Sequence, residues 1–136
     1  MDVIVGKIDS MRRCVKRVYE EYDNSEENLC NFTRQDSIIL NIQRACELAI
    51  DSANYIIAKH NMTTPKTSRE AFEILRENDI IDTTIEENMK RLIGFRNIAV
   101  HDYKKIDVKI LKNIISALQN DMDDYESRIL SFMKRI

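Results

Sequence analysis

Apolar residues recur three or four positions apart along most of the chain, the signature of helices with one buried face. Ile4, Ile8, Met11, Val15, Val18 and Tyr22 form the first stripe and predict a helix from about Asp2 to Tyr22. The acidic, polar stretch from Asp23 to Asn31 reads as a loop. A second stripe, Ile39, Ile42, Cys46, Ala49, Ala53 and Ile57, predicts a helix from about Asp36 to His60. Its alanines allow a neighbouring helix to approach closely. Asn61 to Lys66, with Pro65, breaks the pattern. Thr67-Ser68-Arg69-Glu70 fits a capping box and starts a short third helix ending near Asn78. Asp82-Thr83-Thr84 offers caps for a fourth helix carrying Ile85, Met89 and Leu92. The strongest periodicity follows Asp107, where Val108, Leu111, Ile115, Leu118, Met122, Tyr125, Ile129, Phe132 and Ile136 predict a long last helix. The expected fold is all-α, an up-and-down bundle of four main helices plus one short one. No repeat or linker divides the chain, so residues 1–136 are expected to form a single domain.

Composition narrows this further. Two Gly and one Pro in 136 residues exclude a turn-rich β-sandwich or barrel and a Gly-rich phosphate loop. A hydrophobic fraction of 43% is too high for a disordered chain. No apolar run approaches the ~18 residues of a membrane span, and the first residues lack a secretory pattern. A cytoplasmic protein without a membrane anchor is expected. The Asn31-Phe32-Thr33 and Asn61-Met62-Thr63 sequons are then coincidental. Net charge is −2, so any contact with nucleic acid must be local. Cys14, Cys30 and Cys46 are too scattered for a metal site and read as small buried apolar residues in a reducing compartment.

Only two histidines offer acid–base chemistry. His60 ends the second helix, where the helix dipole favours it. No Glu-x-x-His pair exists, since Ile57 and Ile98 stand three residues before the histidines, and no metal site is expected. His101 lies in Gly94-Phe95-Arg96-Asn97-Ile98-Ala99-Val100-His101-Asp102-Tyr103. Arg96 continues the apolar stripe of Ile85, Met89 and Leu92. A guanidinium there costs desolvation unless it is paired or faces a cleft. On one continuous helix Tyr103 shares Arg96's face, but His101 falls about 140° away. Either the helix ends inside this segment or a second chain completes the site.

Composition alone gives Arg-x4-His roughly one time in six, and a Tyr two residues on lowers this to about one in two hundred. Arg96-Asn97, Val100-His101-Asp102-Tyr103 and Asp107, leading into a long helix, resemble the signature of HEPN domains. The resemblance is strongest to the HepT toxin branch and covers nearly the whole chain. It implies a homodimeric, metal-independent endoribonuclease toxin of a type VII toxin–antitoxin pair, without a cofactor. Arg96 and His101 would be catalytic and Asn97 would support the site. Tyr103 would be the residue to which an MNT-type nucleotidyltransferase antitoxin transfers AMP.

The residue types suit that chemistry independently. Cleaving RNA needs a base for the 2′-hydroxyl, an acid for the leaving oxygen and a cation for charge on the phosphate. Histidine serves either proton-transfer role near neutrality, and arginine's planar fork fits phosphate oxygens. One histidine does not easily do both jobs, whereas a two-fold dimer supplies two. From Lys90 to Lys109 six basic residues (Lys90, Arg91, Arg96, Lys104, Lys105, Lys109) face two acidic ones, a net +4. Lys7 to Arg17 is also net +4. Either stripe could follow a phosphate backbone or be a solvated helix face. Asp121, Asp123, Asp124 and Glu126 read as solvated surface. Glu47 and Asp51 could pair with Arg96 or face solvent. The alternative function is a non-catalytic substrate-binding partner of a nucleotidyltransferase, with Arg96 holding a ligand phosphate. A plain helical interaction protein comes third.

Overall fold

A computed structural model, describing residues 1–136, resolves these stripes into six α-helices: α1 (Asp2–Tyr22), α2 (Glu26–Cys30), α3 (Phe32–Lys59), α4 (Ser68–Glu77), α5 (Thr83–His101) and α6 (Val108–Arg135). A 3-10 turn, Tyr103–Lys105, separates α5 from α6. The four long helices are α1, α3, α5 and α6. Helix α3 is central and packs on α1, α4 and α5, while α6 closes the bundle against α1 and α5. The stripes meet in one core of 37 buried hydrophobic residues.

Two boundaries differ from expectation. The segment read as a loop holds α2, because Leu29 is fully buried and the Asn28 side chain donates through Nδ2 to the Tyr22 carbonyl at 2.8 Å. Glu26 and Glu27 sit in its first turn, where the helix dipole favours them. Helix α3 begins at Phe32 rather than Asp36, because the Asn31 side chain accepts from the Arg34 amide at 3.0 Å. That cap precedes the apolar stripe and leaves Phe32 80% exposed.

Helices end here with hardly any glycine. Asn61 (φ 57°) and Asp79 (φ 57°) take the left-handed position after α3 and α4. At each, the following amide bonds five residues back, Met62 to Ile57 and Ile80 to Leu75, both at 2.9 Å. These are Schellman caps, which asparagine and aspartate tolerate better than other residues with a Cβ. Thr67 caps α4 by accepting from the Glu70 amide at 3.1 Å.

The acidic run of α6 is not solvated surface throughout. Asp121 and Glu126 are buried, only Asp123 and Asp124 being exposed. Glu126 takes a 3.1 Å bond from Arg12 of α1, and Asp121 lies 3.8 Å from Arg91 of α5. Both flank the Leu118-Met122-Tyr125-Ile129 stripe, so packing draws them inward and arginines from adjacent helices follow. Burial raises both carboxyls, with Arg12 and Arg91 opposing. The cysteines are free and only partly as expected: Cys46 is buried, Cys14 half-buried and Cys30 exposed.

One polar cluster lies inside the core. The Tyr125 hydroxyl is 2.6 Å from Ser52 Oγ, which donates to the Ala49 carbonyl at 2.6 Å. Tyr125→Phe removes a hydroxyl from a fully buried site. It is expected to cost about 1–2 kcal/mol, a fall of a few degrees in Tm by thermal unfolding. An unchanged Tm would mean that Ser52 is satisfied by Ala49 alone.

Candidate functional site

The expected site gathers at the C-terminal end of α5. Asp82 caps the start of this helix by accepting from the Ile85 amide at 2.8 Å. A charged clamp fixes its orientation against α4. The buried Glu86 accepts from Arg76 at 2.5 Å and from Lys90 at 2.8 Å, and Lys90 also reaches Glu73 at 3.3 Å. Burial pushes the Glu86 carboxyl up, but the bonds from Lys90 and Arg76 outweigh it and hold the carboxyl below its usual range.

Arg96 follows on the face turned toward α3 and α4. It is half-buried, and its Nη2 donates to Ser68 Oγ of α4 at 3.4 Å, a long bond. Its Nε is buried with no partner. Neither Glu47 nor Asp51 pairs with it: Asp51 is exposed, and Glu47 accepts from Gln43 at 3.4 Å. Arg96 lies near enough to the buried Cys46 to oppose the effect of burial, which pushes that thiol up to about 12. The guanidinium therefore enters the bundle without a carboxylate to neutralise it.

Helix α5 stops at His101, inside the segment singled out from the sequence. The Asp102 amide still bonds to the Ile98 carbonyl at 2.8 Å, but Asp102 (φ −152°, ψ 55°) leaves the helix. The 3-10 turn, the buried Ile106 and the Asp107 cap, accepting from the Ile110 amide at 2.8 Å, then reverse the chain into α6. Tyr103 is consequently off the helix and does not share Arg96's face. It is 41% exposed, and its hydroxyl donates to the Asp36 carboxylate of α3. Partial burial and that carboxylate push the phenol up to about 12. His101 and Asn97 are exposed and make no side-chain hydrogen bond. Arg96, His101 and Tyr103 thus share one end of α5, but no hydrogen bond joins them: Arg96 bonds to Ser68 and Tyr103 to Asp36.

The periodicity did not reveal Asp36 or Ser68 as neighbours of the site. Both stand near helix N-termini, and only the tertiary packing brings them to Tyr103 and Arg96. His60 closes α3 as expected, with its ring edge-on to Phe132 at 5.1 Å. On the outer face of α5 an open groove of about 450 Å³ runs along Gly94, bordered by Arg69, Lys90 and Arg91, with Ile98 and Ile110 in its wall. No group of three or more His, Cys, Asp or Glu side chains is gathered to hold a metal ion. No helix is long and apolar enough to cross a membrane.

A helical bundle with this motif where α5 gives way to α6 has the form of a HEPN domain. Comparison with known proteins agrees. A family model described as Ribonuclease HepT-like matches residues 8–129. The mRNA nuclease HepT of Shewanella oneidensis is 38% identical over 128 residues, 94% of each chain. Among solved structures, the tri-AMPylated HEPN toxin of Shewanella oneidensis in complex with MNT antitoxin superposes with a TM-score of 0.91 at 36% identity, covering 96% of this chain and 98% of that one. A toxin–antitoxin structure with AMP-PNP gives a TM-score of 0.89, also at 36% identity, covering 95% and 98%. The cytosolic protein YutE of Bacillus subtilis shares the fold, with a TM-score of 0.83 at 20% identity over 97% and 89%. The chain belongs to the HepT-like ribonuclease family of HEPN domains.

Proposed function

We infer that the chain is a metal-independent endoribonuclease toxin, with Arg96 and His101 as its catalytic residues and Asn97 in support. The observation that carries this reading is the pairing of a poorly satisfied guanidinium with an unengaged imidazole at one helix end. The buried Arg96 Nε has no partner, and its Nη2 has only the long bond to Ser68. A phosphate oxygen supplies the acceptors that the bundle withholds. His101 is free to take or give a proton. Lys104 and Lys109, exposed and without an ion pair, extend the positive surface beside them. The family membership and the nuclease named among the relatives support RNA as substrate.

Incubating the purified chain with RNA in excess EDTA tests this directly. Cleavage is expected to persist at the rate seen without chelator. Cleavage abolished by EDTA and restored by a divalent metal would overturn the metal-independent chemistry.

The working unit in this reading is a homodimer whose cleft draws Arg96 and His101 from both copies. Exposed apolar residues near the motif support it: Val100 (49% exposed) precedes His101, and Leu40 (41%) lies on the α3 face that carries Asp36. Sedimentation equilibrium at micromolar concentration is expected to show a dimer. A monomer under those conditions would remove the shared cleft.

The reading extends to control. An MNT-type nucleotidyltransferase antitoxin transfers AMP to Tyr103 and so silences the toxin. The Tyr103 hydroxyl is at the surface, two residues from His101. The AMPylated relative solved with its MNT antitoxin supports this step.

A further inference from the structure

Asp36 has no evident structural duty. It lies on the exposed face of α3, in the second turn, and is not the helix cap, a role that Asn31 fills. It makes no ion pair in a chain with 21 lysines and arginines. Its one polar partner is the hydroxyl of Tyr103, 67 residues away, held at the surface by the turn between α5 and α6. A hydrogen bond so exposed contributes little to folding. The contact nevertheless places a carboxylate oxygen on the one hydroxyl that the proposed modification uses.

We propose that Asp36 is the proton acceptor for AMP transfer onto Tyr103. This rests on the reading of Tyr103 as the modified residue. The Tyr103 Oη attacks the α-phosphorus of ATP held by the nucleotidyltransferase. The Oη–phosphorus bond forms, the bond from that phosphorus to the bridging oxygen breaks, and pyrophosphate leaves with the electron pair. The Oη proton passes along the existing hydrogen bond to the Asp36 carboxylate and then to water. A phenol raised to about 12 is almost wholly protonated near neutrality, so the attacking oxygen needs a base as its bond to phosphorus forms. After transfer the oxygen has no proton to donate. The Asp36 carboxylate then faces a phosphodiester of like charge, which turns the nucleotide away from α3.

The discriminating substitution is Asp36→Asn. Its amide oxygen still accepts from the Tyr103 hydroxyl but does not take the proton, so orientation is kept while basicity is lost. The experiment uses the full chain, an MNT-type nucleotidyltransferase antitoxin, and labelled ATP with magnesium. The initial rate of AMP incorporation is followed over a range of toxin concentration, and the modified peptide is located by mass spectrometry. Asp36→Asn is expected to lower kcat for the first AMP about 100-fold, the lower end of the range for a positioned base, with KM unchanged. Asp36→Glu restores a carboxylate and is expected to return within about tenfold of the parent. This ties the loss to the base rather than to the fold, which circular dichroism checks independently. A parent-like kcat in Asp36→Asn overturns the proposal, as does a rise in KM alone, which would make Asp36 a docking contact. A parent chain that takes no AMP, or takes it on a peptide without Tyr103, instead defeats the underlying reading of Tyr103.

Discussion

Replacing His101 with alanine is expected to lower RNA cleavage by a factor of roughly 10²–10⁴, the usual worth of a positioned proton-transfer group. His101 is exposed at the end of α5 and makes no side-chain hydrogen bond, so its truncation removes no packing and Tm should hold. Arg96→Ala is expected to cost about 10²–10³ for a different reason, the loss of cation stabilisation at the phosphate. The fold should tolerate this change as well. The Arg96 Nε is buried without a partner, and its removal relieves a desolvated polar group. Arg96→Lys separates charge from shape. Lysine keeps the positive charge but lacks the planar fork, so most of the loss should remain. Single-turnover cleavage of an end-labelled RNA, with a thermal melt of each variant, measures both effects. Full activity in His101→Ala would remove the proposed chemistry. Loss of activity together with a collapse of Tm in Arg96→Ala would reduce that residue to a structural one.

Much of this arrangement was legible in the sequence because helical periodicity is a local property. The stripes of α1 and α6 predict those helices almost to the residue, since Ile4 to Val18 and Leu111 to Ile129 all face one core. Arg96 stood out because a guanidinium interrupts an apolar stripe. The geometric conflict among Arg96, His101 and Tyr103 is visible as well: the helix end at His101 moves Tyr103 off Arg96's face, but Arg96 and His101 stay on one continuous helix and remain apart around it.

What escaped the sequence depends on contacts between segments far apart in the chain. Helix α2 has no stripe, and a single buried leucine, Leu29, holds it. Asp121 and Glu126 resemble their solvated neighbours until Arg91 and Arg12 arrive from other helices. Asp36 resembles any polar residue early in a helix. Its meaning comes from Tyr103, 67 positions later, which reaches it only because the chain turns sharply between α5 and α6.

That turn makes Tyr103 the residue whose substitution should alter control most. Tyr103→Phe is expected to leave a folded toxin, because the lost hydroxyl bond to Asp36 is exposed and the ring remains. RNA cleavage should persist, since Arg96 and His101 are untouched. Neutralisation through modification should disappear altogether, because the nucleophilic oxygen is gone. In the parent chain, AMP on Tyr103 places bulk and a negative phosphate two residues from His101. That phosphate is expected to compete with the RNA phosphate for Arg96 and to repel the rest of the RNA backbone. One covalent step is thereby expected to block substrate binding and catalysis together. Co-expressing either chain with its nucleotidyltransferase tests this. The parent should gain mass in multiples of AMP on the peptide containing Tyr103, and growth should recover. Tyr103→Phe should gain none and remain toxic. If the partner restrains Tyr103→Phe as well as it restrains the parent, binding alone accounts for inhibition, and Tyr103 is left with its contact to α3.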